Sequence, residues 1–242
     1  MLDFLRFMIS KLGAYGPALP LLEELLQRSW KTHFTDLCSG AGGGIEGIRE
    51  ALSKRLGQPV RVTLSDLYPN LAAWEYLQAQ SGGLIDFIPV PVNATAVPPQ
   101  VTGVRTIFSS FHHFRPQQAV AILQDAADKR AAIGIFEGSG KTWLELLVFL
   151  LTFPFIILVV TPFIRPFKLS RLLFTYLIPA IPLGILWDGA VSLFRIYNPR
   201  MLQELVAQVQ APGYTWRTGK AGEGLGKQVI YLIGYPEGLI AD

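Results

Sequence analysis

The residues best suited to chemistry stand in one short stretch. His33-Phe-Thr-Asp36-Leu-Cys38-Ser-Gly40-Ala-Gly42-Gly-Gly44 reads as a strand, then a run of glycines, then a helix over residues 45–56. Glycine lets the backbone turn tightly and approach a ligand with no Cβ in the way. The helix that follows aims its first N–H groups at the same ligand. A dinucleotide fingerprint needs glycine at 40, 42 and 45, and position 45 is isoleucine. Asp36 argues further against that reading. A carboxylate at the strand end repels a pyrophosphate and suits a ligand with cationic ammonium and sulfonium centres.

These residues need a scaffold, and the flanking pattern supplies one. Strands are expected over 33–38, 60–64, 84–92, 104–109 and 132–136, separated by helices over 45–56, 71–80 and 116–129. That alternation indicates a parallel sheet with helices on both faces. Asn198-Pro199 starts a helix that runs to about residue 210. Two closing strands, 214–218 and 228–234, suit an antiparallel hairpin at a sheet edge, joined by a loop with glycines at 222, 224 and 226. Ahead of the first strand, apolar residues at helical spacing mark residues 2–29 as a helical segment, broken at Gly13-Ala-Tyr-Gly-Pro17.

Asp36-x-x-x-Gly40-x-Gly42 after the first strand resembles motif I of class I S-adenosylmethionine-dependent methyltransferases. Cys38 stands where that motif usually has its first glycine. The resemblance covers residues 33–137 and about 195–235. It implies a Rossmann-like seven-stranded sheet and S-adenosylmethionine as cofactor. It places Asp36, Cys38, Gly40 and Gly42 around the donor. Asp66, with Leu67, takes the place of the acid that ends the second strand and holds the ribose hydroxyls; capping the helix after Pro69 is the plain alternative. Asn93 and Ala94 lie in the turn that meets the adenine. Ser110 and Phe111 open the segment after the fourth strand, Ser110-Phe-His-His-Phe114, where an aromatic-His pair often lines the transfer cleft.

Methyl transfer from an activated donor asks the protein chiefly for proximity and alignment. A hydroxyl or protonated amine acceptor also needs a base. The candidates are His112 and His113 after strand four, Glu137 after strand five, and Asp188 in Trp187-Asp-Gly. A histidine is favoured because its ordinary pKa lies near neutral pH. Packing roles for the two histidines are the alternative. Cys38, the single cysteine, has no base near it in sequence, and it leaves no disulfide or thiolate metal cluster to build; no metal site is expected.

The rhythm breaks after strand five. Residues 141–187 form an apolar insert between the core segments 33–140 and 188–242, with 1–32 as an N-terminal helical unit. From Lys141 to Arg195 the charged residues are only Lys141, Glu145, Arg165, Lys168, Arg171, Asp188 and Arg195. The run 144–164 is long enough to span a bilayer, whereas 172–187 is too short. Spanning would put the basic loop 165–171 on the far side from the catalytic fold, against the usual charge bias. An in-plane or partly dipping hairpin keeps those cations among lipid phosphates. A soluble substrate cap, or an interface with a second copy of the chain, competes with that reading.

Composition agrees. The chain has 242 residues, half of them hydrophobic and 16% charged, against a usual charged share of about a quarter. A net charge of +3 is too small to argue for nucleic acid. One cysteine and no basic leader at the N-terminus point to a cytoplasmic protein, peripheral on the membrane's cytoplasmic face. The expected partner is a small apolar or lipid-like acceptor. A nicotinamide-dependent oxidoreductase, or a non-catalytic membrane-associated protein with the same fold, is the alternative.

Overall fold

The computed structural model describes residues 15–138, 143–164, 167–223 and 228–238. The expected helical run over 2–14 and the glycines at 224 and 226 lie outside the described residues. After a 3-10 turn, Gly16–Ala18, the elements are α1 (Leu19–Arg28), β1 (His33–Asp36), α2 (Ile45–Leu56), β2 (Arg61–Leu64), α3 (Leu71–Gln80), β3 (Ile85–Phe87), β4 (Val104–Phe108), α4 (Pro116–Asp128) and β5 (Ile133–Gly138). Then come α5 (Trp143–Val160), α6 (Leu169–Leu172), α7 (Ala180–Arg195), α8 (Pro199–Val206), β6 (Tyr214–Ala221) and β7 (Val229–Pro236).

The seven strands form one sheet in the order β3-β2-β1-β4-β5-β7-β6. The first five are parallel, and β7 runs antiparallel between β5 and the edge strand β6. The sheet is the Rossmann-like sheet of methyltransferases, as expected. Its strand order reverses between β1 and β4, and in open α/β sheets the carboxyl ends of such strands frame the ligand crevice.

Both faces are covered, which is why β4 is buried along its whole length. On one side Leu22 and Leu25 of α1, Leu52 of α2 and Trp74 of α3 pack against Phe34, Val62 and Phe136. On the other, Ile122 and Leu123 of α4 and Leu202 and Leu205 of α8 pack against Ile107, Ile133 and Ile135. Ile135 and Phe136 therefore face opposite layers, as strand alternation requires. Asn198 caps α8 as expected, its side chain accepting from the Met201 N–H at 2.9 Å.

Several boundaries differ from the sequence reading. The third strand is three residues long and not nine, because Pro89 and Pro91 have no N–H to donate to a ladder. Strand five extends to Gly138, so Glu137 lies within it and not after it. The helix from Pro199 stops at Val206, short of residue 210. In the insert, α7 runs unbroken through residue 188, where the core was expected to resume.

The insert is built on its own terms. Ile157, Ile164 and Ile185 form a small separate core. Gly189 of α7 sits beneath Phe149 of α5, where a Cβ would lie 2.3 Å from the ring. Residues 146–163 are one stretch long and apolar enough to cross a membrane, whereas the following pair, Leu169–Leu177 and Ala180–Arg195, is bent by 76°. Arg171, expected among the cations of the 165–171 loop that meet lipid phosphates, does not reach outward. It is buried, and its guanidinium donates to the Ile164 carbonyl at 2.9 Å. Arg165 lies outside the described residues.

Candidate active site

The glycine turn adopts backbone that only its sequence permits. Cys38, Gly40, Gly42 and Gly44 all have positive φ, at 62°, 52°, 70° and 76°. For cysteine that conformation costs roughly 1 kcal/mol, and Cys38 stands where the resembled motif has glycine. Gly42 is needed for a second reason: a Cβ there would lie 2.4 Å from Leu77 of α3. Around Gly40 nothing lies within 4 Å of that position. The outer side of the turn is therefore open to a ligand.

Asp36 ends β1 and is buried. The Thr106 hydroxyl on β4 donates to its Oδ1 at 2.9 Å. Burial pushes its carboxyl up to about 7; the hydroxyls of Ser39 and Thr106 pull it back down, and nearby Asp66 pushes it up. Ser39 and Ser65 both donate to the Asp36 carbonyl, at 2.8 and 3.0 Å, and so clamp the ends of β1 and β2 together. The Cys38 thiol is held protonated, chiefly by burial and then by Asp66 and Asp36, which leaves it no nucleophilic role.

Asp66 faces the turn. Its Oδ2 accepts the Gly40 N–H at 2.9 Å and its Oδ1 the Tyr68 N–H at 2.9 Å. The cap of α3 is instead Asn70, whose side chain accepts from Ala73. Leu67 is exposed beside it. The Val92 N–H donates to the Asp66 carbonyl at 2.9 Å, which brings Asn93 and Ala94 alongside. Ala94 is buried, while Asn93 is exposed and its carbonyl oxygen accepts from Thr95 N and Oγ1 within its own turn.

After β4 the chain turns through Ser109, a second strained residue at φ 45°. The Ser110 hydroxyl reaches the carbonyls of Cys38 and Phe108, at 3.4 and 3.1 Å, and so joins the glycine turn to this segment. Phe111 is fully buried against Phe114 and Tyr197. Core packing accounts for its ring.

His112 and Glu137 form a buried pair. Glu137 Oε2 lies 2.8 Å from His112 Nδ1, and Oε1 accepts the His112 backbone N–H at 3.1 Å. An acid that accepts from both places the ring proton on Nδ1 and leaves Nε2 with its lone pair. His113 is exposed, with its ring 4.2 Å from that of His112. Its proton affinity is lowered, first by desolvation and then by His112, against the opposing charges of Asp188 and Glu137. Asp188 thus stands within electrostatic reach of the pair, on α7. The four base candidates gather at one edge, where α7 packs on the turn 111–113. Among the described residues no cluster of three His, Cys, Asp or Glu is placed to hold a metal.

Tyr15 was not anticipated. It is buried, hydrogen-bonds Ser109 Oγ and packs edge-on against Phe108 at 4.9 Å. Burial drives its phenol well above the ordinary range; the Ser109 bond opposes this, while Glu137 and Asp36 add to it. In sequence it is only a residue of the Gly13–Pro17 break. Nothing there signals that the break folds onto the carboxyl edge of the sheet.

No family model matches the chain, and no curated protein matches it. Solved structures do. An O-methyltransferase family protein from Burkholderia thailandensis superposes with a TM-score of 0.52 at 14% identity, over 97% of this chain and 59% of that one. LepI in complex with SAM gives 0.50 at 20%, over 89% and 46%. The methyltransferase domain of bacterial CtHen1 gives 0.53 at 11%, over 92% and 99%. The chain thus spans about half the length of the first two and nearly all of the third. What it shares with all three is the fold, the seven-stranded Rossmann-like sheet of methyltransferases, here with an apolar helical insert after β5.

Proposed function

We propose that the chain is an S-adenosylmethionine-dependent methyltransferase that acts on an apolar or lipid-like acceptor at the cytoplasmic face of a membrane. One observation carries the donor reading: two acids, Asp36 and Asp66, flank an open glycine turn at the point where the strand order reverses. The turn has room for a ligand at Gly40, and the donor set is anionic, which fits a cationic nucleoside and disfavours a pyrophosphate. Asp36, Gly40 and Gly42 would hold its amino-acid end, Asp66 the ribose, and Asn93 the adenine edge. That group, when bound, supplies a methyl already activated on sulfur. Every other task falls to the chain.

Glu137 holds the His112 ring and keeps the proton on Nδ1, so that Nε2 is the nitrogen that can take up a proton. Burial around His112 excludes water that would compete for it. The insert provides an apolar wall. All of the exposed large hydrophobic side chains among the described residues lie between Trp143 and Phe194, except Trp30, Leu67, Tyr68, Leu71, Tyr76 and Val90. Exposed apolar side chains concentrated in one segment in this way fit a membrane or binding face. Calorimetry tests the donor reading: S-adenosylmethionine or its demethylated product should bind and NAD should not. The reverse result would favour the oxidoreductase.

A further inference from the structure

The Glu137–His112 pair has a third member. Ser192, on α7, places its Oγ 3.1 Å from His112 Nε2. Because Glu137 holds Nδ1, the free nitrogen of the base is the one that Ser192 meets. Ser192 is only half-buried, whereas His112 and Glu137 are buried. Of the three, the serine hydroxyl is therefore the one nearest to solvent. We propose that Ser192 is a proton relay between the acceptor and His112, contributed by α7, the helix that leads out of the insert. The inference rests on the methyl-transfer reading above.

The step balances. The acceptor hydroxyl gives its proton to Ser192 Oγ as Ser192 gives its own to His112 Nε2. The acceptor oxygen keeps its electron pair for the incoming methyl group. The imidazolium that results stays paired with Glu137 through Nδ1–H and later loses a proton to solvent. No other co-reactant is needed. Beside this chain of donors the His113 ring lies 4.2 Å from that of His112, and Asp188 and Arg195 of α7, with Glu137 of β5, are the charges that act on His113. The arrangement also has a structural consequence: the base is complete only while α7 is seated on the turn 111–113. An acceptor entering beneath α7 would meet the relay before it met the histidine.

The test uses the full chain in detergent, with Ser192→Ala and Ser192→Thr. Nitrogen-15 spectra of the histidines should show His112 with its proton on Nδ1 in all three proteins. Nε2 should carry a hydrogen-bonded shift in the wild type and Ser192→Thr, and move to a free lone-pair shift in Ser192→Ala. With a long-chain alkylphenol as acceptor, Ser192→Ala should lower kcat roughly tenfold to a hundredfold, the lower part of what a placed proton carrier contributes. The donor KM should stay unchanged, and Ser192→Thr should recover most of the rate. The wild-type rate should fall with a bowed curve as deuterium replaces hydrogen in the solvent, and the Ser192→Ala rate with a straight line. An unmoved Nε2 shift, or a Ser192→Ala enzyme with wild-type kcat and a bowed curve, overturns the relay. If the wild type binds donor but methylates no alkylphenol, the acceptor reading fails and the relay fails with it. The spectra would still report whether Ser192 bonds His112.

Discussion

Thr106 on β4 donates its hydroxyl to Asp36 on the neighbouring strand β1, at 2.9 Å across the point where the sheet changes direction. The bond holds the carboxyl at the strand end with one oxygen spoken for. Burial still dominates and lifts its pKa to about 7. The consequence has a definite sign. An acid whose folded pKa exceeds its unfolded value of about 4 binds more protons when folded. Between pH 4 and 7 this group therefore lowers stability as pH rises, and above 7 the loss is complete.

The first prediction follows from that sign. A cationic ligand favours the ionised form, so binding near pH 6 should release a proton. S-adenosylmethionine affinity should weaken as pH falls below about 7. Asp36→Asn should remove both the proton release and the pH dependence. Calorimetry in two buffers of different ionisation enthalpy measures it. Equal heats in both buffers for the wild type at pH 6 would detach Asp36 from the ligand.

Asp66 holds the Gly40 N–H and, in our reading, a ribose. Asp66→Ala should weaken donor binding by roughly 1–3 kcal/mol, the cost of losing a charged acceptor. Unchanged affinity would remove Asp66 from the site.

His112 and Glu137 should act as a unit. His112→Ala and Glu137→Gln should each lower turnover while leaving donor affinity nearly intact, the pattern of groups that work mainly in the transition state. The double variant should lose little more than either single one. Normal turnover in His112→Ala would hand the role to His113 or Asp188.

The glycine turn permits a stability test without any ligand. Gly42→Ala adds a Cβ at positive φ and drives it into Leu77, which should cost roughly 1–3 kcal/mol. Cys38→Gly relaxes a strained residue and should cost nothing measurable in thermal unfolding. A Gly42→Ala protein with wild-type Tm would mean that the turn does not adopt this geometry.

The insert should bind lipid. Trp143 and Trp187 are exposed, so their emission should shift to the blue when liposomes are added. Leu151→Glu together with Phe155→Glu should abolish flotation. No flotation of the wild type on any lipid would leave the cap reading in place.

The sheet and the glycine turn were legible in the sequence because local signals coincide there. Glycines at 40, 42 and 44 sit at positive φ, Asp36 closes the short strand that leads into them, and Asn198-Pro199 caps a helix. Each depends on a few consecutive residues, and patterns of that range survive without knowledge of neighbours. The insert was legible by composition alone, since no α/β core explains so many apolar residues after β5. Strand three was overread because its apolar pattern continues through prolines that cannot pair.

The pairing of the candidate catalytic side chains was decided only by tertiary structure. His112 and Glu137 were each singled out by position, but their bond spans 25 residues of chain, and Ser192 lies 80 residues from the histidine that it meets. Tyr15 reaches Ser109 across 94. Such contacts depend on which strand lies beside which and on how α7 seats over the turn. Periodicity and spacing record only the face that a residue presents. The partner on that face is chosen when the whole sheet closes its core.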